Sequence, residues 1–259
     1  MSDLENPESV RRRGIYLLPN LFTTGALFAG FYAIVAAMKG LFEPAAIAIF
    51  VAMVMDGLDG RVARLTGTQS AFGAQYDSLS DMVSFGVTPA LVVYSFSLQA
   101  LGKLGWLAAF IYAAATALRL ARFNIQIGTV DKRFFVGLPS PAAAAVLAGL
   151  VWICHEYQFT SKHVGEVIAL TTITLGFLMV SNIRYYSFKE VDFKGNVPFV
   201  AVLVVVCIYI LIAWDPPNIL FGLFALYACS GPLGALRHLR RRKRPSLSEA
   251  PSIHPKNAP

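Results

Sequence analysis

The stretch "DGLDGRVARLTGTQSAFGAQYDSLSD", residues 56–81, interrupts a chain that is otherwise mostly apolar. It carries four aspartates and two arginines, with no lysine or histidine. Asp56 and Asp59 are spaced i,i+3 and Asp77 and Asp81 i,i+4, so on helices each pair shares a face. A hairpin of two antiparallel helices turning near Thr68 sets Asp56 opposite Asp81 and Asp59 opposite Asp77. All four carboxylates would then lie at nearly one depth.

The rest of the chain says what those helices are embedded in. Of 259 residues, 56% are hydrophobic and 14% charged, with mean hydropathy +0.59. Soluble domains carry about 25% charged residues, so the composition is that of a membrane protein. A bilayer core needs roughly 20 helical residues. Segments at 17–38, 41–65, 72–98, 103–126, 139–156, 163–182, 196–213 and 217–237 fit, which predicts an all-α, polytopic transmembrane helical bundle of about eight spans. The expected organisation is a polar cytoplasmic segment over 1–14, a transmembrane domain over 15–239 and a basic, structureless tail over 240–259.

Charge gives the orientation. With the N-terminus in the cytoplasm, nineteen of the 22 Lys and Arg fall on the cytoplasmic side, and only Lys39, Lys103 and Lys162 face the other. That asymmetry places both termini and the aspartate-rich turn on the cytoplasmic face. The run "RHLRRRKR" at 237–244 reads as an anchor to anionic headgroups beside a final helix, and no nucleic-acid partner is expected. Cys154, Cys207 and Cys229 are isolated in apolar runs, with no C-x-x-C pair; they read as small buried apolar side chains. The first apolar run is too long for a cleaved signal peptide.

Four close carboxylates in a low-dielectric site cannot all stay ionised unaided. Two divalent cations would cancel their charge, and ligation by oxygen alone points to a hard ion, Mg²⁺ or Mn²⁺. Gly57, Gly60 and Ala63 leave one side of the second helix bare, so a ligand or another helix can approach its backbone. Arg64 offers a guanidinium suited to phosphate, Gly73 thins the third helix, and Thr66, Thr68 and Ser70 supply hydroxyls in the turn. Carboxylate-held ions beside an arginine read most simply as a diphosphate site. A structural salt-bridge network and an ion-conducting path are the alternatives.

The pattern Asp56-x₂-Asp59-Gly60-x₂-Ala63-Arg64-x₈-Gly73-x₃-Asp77-x₃-Asp81 resembles the full signature of the CDP-alcohol phosphatidyltransferase family, at all eight positions. At residue frequencies near ~0.06, a chance match at one start has odds of about 10⁻¹⁰. The resemblance implies an enzyme that replaces CMP in a CDP-linked lipid with a small alcohol, at a cytoplasmic site in a helical bundle that forms a homodimer. It implies Asp56, Asp59 and Asp77 as principal metal ligands, and Asp81 as general base that also touches a second metal. Gly60, Ala63, Arg64 and Ser70 would line the CDP site. Asn20 and Thr23 of "LPNLFTT" lie on the same side and either hydrogen-bond the nucleotide or simply begin a helix.

Four further stretches, "YLLPNLFTTGALFAGFYAI", "RLARFN" (119–124), "GLPSPAAA" (137–144) and "NIRYYSFK" (182–189), resemble the membrane-embedded phosphatidylserine synthases of that family. The likeness covers roughly residues 15–195. It implies CDP-diacylglycerol and L-serine as substrates and a bacterial inner membrane as the location. Arg119 and Arg122 suit the serine carboxylate, with snorkelling to headgroups as the competing reading. Ser140 either orients the acceptor or starts a helix. Arg184 and Lys189 meet a phosphate or the membrane surface, and Tyr185 and Tyr186 fit an interfacial belt. Only His254 is followed two residues later by lysine (Lys256), so the pair of H-x-K motifs that a phospholipase-D-like route needs is lacking, and no G-x-x-x-x-G-K-[ST] loop marks an ATP-driven pump. The same chemistry with glycerol 3-phosphate or an inositol phosphate, and a divalent-cation transporter, are the competing functions.

Overall fold

The computed structural model describes residues 7–126, 134–159, 161–186 and 199–242. Nine helices and one two-stranded ribbon are seen among the described residues. In order they are α1 (Pro7–Met38), α2 (Phe42–Thr66), α3 (Ala71–Asp81), a π-helical turn (Met82–Val87), α4 (Thr88–Phe96), a 3₁₀ turn (Leu98–Leu101) and α5 (Lys103–Gln126). There follow β1 (Phe134–Val136), α6 (Ser140–Glu156), α7 (Lys162–Val180), β2 (Arg184–Tyr186), α8 (Phe199–Trp214) and α9 (Pro216–Arg242). The expected tail beyond residue 242 and the loop carrying Lys189 fall outside the described residues.

The bundle is a multi-spanning membrane type, but the described residues do not supply eight spans. Five helices among the described residues are long and apolar enough to cross: Leu18–Met38, Ala71–Phe96, Lys103–Ile125, His163–Val180 and Pro216–Leu236. The other three fall short for separate reasons. α2 carries Glu43, Asp56, Asp59, Arg61 and Arg64, so its C-terminal half belongs to the site rather than to lipid. α6 has 17 residues and the described part of α8 has 16; at 1.5 Å per residue these stretches reach about 25 Å, under the roughly 30 Å hydrocarbon thickness.

Small side chains set the packing. Ala26, Ala29, Ala33, Ala36 and Ala37 of α1 are buried, as are Ala45, Ala46, Ala48 and Ala52 of α2, so these two helices approach closely along their length. α6 is the central helix: Ala142 through Gly149 are all buried, and it packs on α2, α4, α7 and α9. Gly149 sits where an added Cβ would lie 2.9 Å from Phe221 Cβ, so α9 can close onto α6 only because that position has no side chain.

The segment expected as one helix over 72–98 is broken by the π turn, and Pro89 supplies a cause. A proline has no N–H to give the Phe85 carbonyl in an α-helical pattern. The Tyr112 hydroxyl of α5 donates to that carbonyl at 3.0 Å instead. The same stretch is pinned to α1 by three hydroxyls in register: Ser80 donates to the Thr23 carbonyl, Ser84 to that of Ala26 and Thr88 to that of Gly30, each at 3.1 Å. Gly30 permits the contact, because a Cβ there would lie 2.9 Å from Ser84 Cα.

Two expectations for individual residues are corrected. Tyr185 is not an interfacial residue: its ring is buried, and its hydroxyl donates to the Ala228 carbonyl at 3.0 Å. It is drawn in because β2 pairs with β1, opposing Tyr185 to Phe135, and lies against α9. Of the cysteines only Cys154 is buried, whereas Cys207 and Cys229 are exposed on α8 and α9, whose outer faces are apolar.

Candidate active site

The carboxylates meet where the hairpin ends. α2 stops at Thr66 because Gly67 takes a left-handed conformation (φ 65°) and its N–H caps the Ala63 carbonyl. Ser70 then caps α3, its hydroxyl accepting from the Gly73 N–H at 3.0 Å. The short turn between brings the acidic faces together. One oxygen each from Asp56, Asp59 and Asp77 lies within 4.8 Å of the others. Asp59 lies against Asp77, and Asp81 against Asp56, the two pairings that the hairpin register calls for.

α1 holds this cluster from below. Thr23 is 4% exposed and Asp59 5%, and the Thr23 hydroxyl donates to Asp59 Oδ2 at 2.7 Å. The same hydroxyl is 3.2 Å from the Pro19 carbonyl of its own helix. Thr23 therefore orients a carboxylate rather than facing the open side of the site. The donor set suits a hard divalent cation. Three oxygens converge at a spacing that a single ion can bridge, and like charges this close need a cation or a proton between them. Asp81 is outside the converging set; it lies against Asp56 and Asp77 and feels Arg119 of α5.

Of the residues assigned to the nucleotide, Gly60, Ala63 and Arg64 lie along the open side of the turn. A Cβ added at Gly57 would meet nothing within 4 Å, and one at Gly60 only the Arg64 Nη1 at 3.7 Å. The backbone between Asp56 and Arg64 is thus bare, with Ala63 half-buried and Arg64 exposed. Asn20 reaches the same place from α1: its Oδ1 would lie 3.5 Å from a Cβ on Gly73. Thr24, beside it, shares a 2.9 Å hydrogen bond with the Tyr76 hydroxyl, and Tyr76 stacks on Phe72 at 6.0 Å. Ser70 belongs to the turn, its hydroxyl engaged in the cap.

The two arginines expected to act together diverge. Arg119 Nη1 donates to Ser140 Oγ at 2.9 Å, and its Nε is buried without a hydrogen-bond partner. Arg122 instead ties α5 to the end of α7, donating to the Val180 carbonyl at 3.3 Å and to Asn182 Oδ1 at 2.6 Å. Ser140 is fully buried at the first turn of α6. Gly137 delivers the chain to it: with φ +82° and its N–H on the Ile183 carbonyl, it fits where a side chain would strike Met179 and Ser181. Arg184 lies exposed on β2. Two contacts had no flag in the sequence. Ser78 and Asn124 hydrogen-bond across α3 and α5 at 3.1–3.2 Å, and Tyr227 of α9 interacts with Arg119.

The whole is a membrane-embedded helical bundle whose acidic cluster sits at the mouth of a helical hairpin. Residues 16–179 match the family model described as CDP-alcohol phosphatidyltransferase. The chain is 37% identical over 213 residues to a CDP-diacylglycerol–serine O-phosphatidyltransferase of Helicobacter pylori strain 26695, covering 82% of this chain and 90% of the relative. The H. pylori strain J99 enzyme of the same name is 38% identical over the same shares of both chains. One from Mycobacterium tuberculosis H37Rv is 36% identical over 229 residues, 85% of this chain and 79% of the relative. The chain belongs to the CDP-alcohol phosphatidyltransferase family, and it is an enzyme of phospholipid biosynthesis.

Proposed function

We propose that this enzyme transfers the phosphatidyl group of CDP-diacylglycerol to L-serine, giving phosphatidylserine and CMP. The observation that carries the acceptor assignment is Arg119. Its guanidinium is bonded to Ser140 and within electrostatic reach of Asp81, with a buried Nε that has no hydrogen-bond partner. A buried donor left unbonded is costly, and a carboxylate arriving beside Asp81 would relieve it while setting the serine hydroxyl against the base. The relatives' names agree with this reading.

Asp56, Asp59 and Asp77 would hold Mg²⁺ or Mn²⁺, two ions in the full site, with Asp81 reaching the second. Bound there, the ions would draw charge from the diphosphate and stabilise CMP as it departs. The remaining work falls to side chains. Thr23 fixes the rotamer of Asp59. The bare backbone at Gly57 and Gly60 admits the nucleotide, with Arg64 and Asn20 at its rim. Asp81 accepts the proton of the serine hydroxyl as its oxygen attacks the phosphorus bearing diacylglycerol. The site opens to the cytoplasm by the distribution of lysine and arginine, and the inner membrane of a bacterium is the setting this implies.

The test is acceptor choice. Purified protein given CDP-diacylglycerol and Mn²⁺ or Mg²⁺ should release CMP with serine. It should release little with glycerol 3-phosphate or inositol phosphate. Turnover with glycerol 3-phosphate and none with serine would refute the assignment.

A further inference from the structure

We propose that Tyr227 of α9 is a specificity-determining residue of the acceptor pocket, its hydroxyl donating to the acceptor's carboxylate beside Arg119. The inference rests on the serine reading above and adds a residue from beyond the stretch, residues 16–179, that the family model matches.

The geometry follows from how α9 is seated. It runs antiparallel to α6: Asn218 near its start donates to the Tyr157 hydroxyl just past the end of α6, and Gly149 closes on Phe221. Six residues and about 9 Å further along α9, toward the start of α6, comes Tyr227, at the level of the first turn where Ser140 holds Arg119. Its position is fixed from the side. The Tyr185 ring lies 5.6 Å from that of Tyr227, at 47°. The Tyr185 hydroxyl is bonded to the Ala228 carbonyl at 3.0 Å, and Gly231 packs flat on the Tyr185 ring with no room for a side chain. The ribbon that carries Tyr185 is the one whose β1 strand leads through Gly137 into Ser140. One small lock therefore sets the positions of both Ser140 and Tyr227.

Chemistry supplies the role. Arg119 interacts with Tyr227 as well as with Asp81. Its Nη1 is committed to Ser140, so the Nε edge is what remains for a ligand. A carboxylate offers about four lone-pair sites, more than one guanidinium edge fills. A phenol beside that edge adds a donor and no competing negative charge. An acceptor lacking the anion gains nothing from either group.

The experiment uses the full-length protein in lipid nanodiscs, with CMP release as the readout and Tyr227→Phe as the variant, which keeps the ring against Tyr185. We expect the KM for serine to rise about tenfold, the loss of one charge-assisted hydrogen bond. The KM for CDP-diacylglycerol and kcat should stay within about twofold. The preference for serine over serinamide, which lacks the anion, should fall by a similar factor. An unmoved serine KM, or kcat and both KM values shifting together at a constant serine-to-serinamide ratio, overturns the proposal. If the variant melts below the assay temperature, calorimetry in the cold replaces turnover: serine binding weakened about tenfold supports the proposal, and unchanged binding overturns it. Wild-type protein inert to serine overturns both this inference and the proposed function. An active wild type with an unmoved Tyr227→Phe overturns this inference alone.

Discussion

Replacing Thr23 by valine removes one hydroxyl from beneath the acidic cluster and leaves the shape of the side chain intact. The hydroxyl sits 2.7 Å from Asp59 Oδ2, with both residues at most 5% exposed, so water cannot take its place. A hydrogen bond to a charged group contributes about 1.5–3 kcal/mol, which is roughly a 10–150-fold change in an equilibrium constant. Partners that orient metal ligands from behind are worth about 10–100-fold in affinity or activity. Titrating Mn²⁺ or Mg²⁺ into the Thr23→Val enzyme at saturating serine and CDP-diacylglycerol should move half-saturation up by about 10–100-fold, with kcat at excess metal largely restored. Thr23→Ser, which keeps the oxygen, should titrate close to wild type. An unchanged metal requirement, or a loss that excess metal fails to recover, would show that Thr23 does not set the ligand geometry.

Other substitutions separate the roles of the remaining residues. Asp81→Asn should abolish CMP release while binding of the CDP-lipid, read by calorimetry with metal present, stays largely intact; near-normal turnover would remove Asp81 as the base. Arg119→Lys loses the planar fork that holds Ser140 and should raise the serine KM about tenfold or more with little change for the lipid; an equal loss for both substrates would make Arg119 structural. Gly30→Ala drives a methyl group to 2.9 Å from Ser84 Cα. It should cost about 1–3 kcal/mol, seen as a lower melting temperature in detergent; a wild-type melting temperature would mean that α1 and the π turn are not clamped.

The acidic centre was legible because its information is local. Two helices joined by a short turn obey a simple register, so Asp56 faces Asp81 and Asp59 faces Asp77 in the structure as the spacing requires. The bare backbone around Gly57 and Gly60 was equally plain. The span count was not, since hydropathy windows do not see that α2 spends its C-terminal half on the site or that α6 is short and enclosed. Arg119 and Arg122 share a helix face, but one turn of α5 separates a neighbour on α6 from one on α7, which only the packing decides. Tyr185 looked interfacial in a tyrosine-rich loop; pairing of β2 with β1 turns it inward. Thr23 was placed beside the acidic turn, but its partner, 36 residues away on another helix, left no trace in local sequence.

The central claim is that Asp56, Asp59 and Asp77 together grip a divalent ion that in turn grips the diphosphate. Anomalous diffraction from crystals grown with Mn²⁺ and CDP-diacylglycerol tests it directly. A manganese peak is expected within bonding distance of oxygens from all three aspartates and of a diphosphate oxygen, and it should be lost in Asp77→Asn. A nucleotide bound with no manganese among these carboxylates, or a peak that survives Asp77→Asn unchanged, would contradict it.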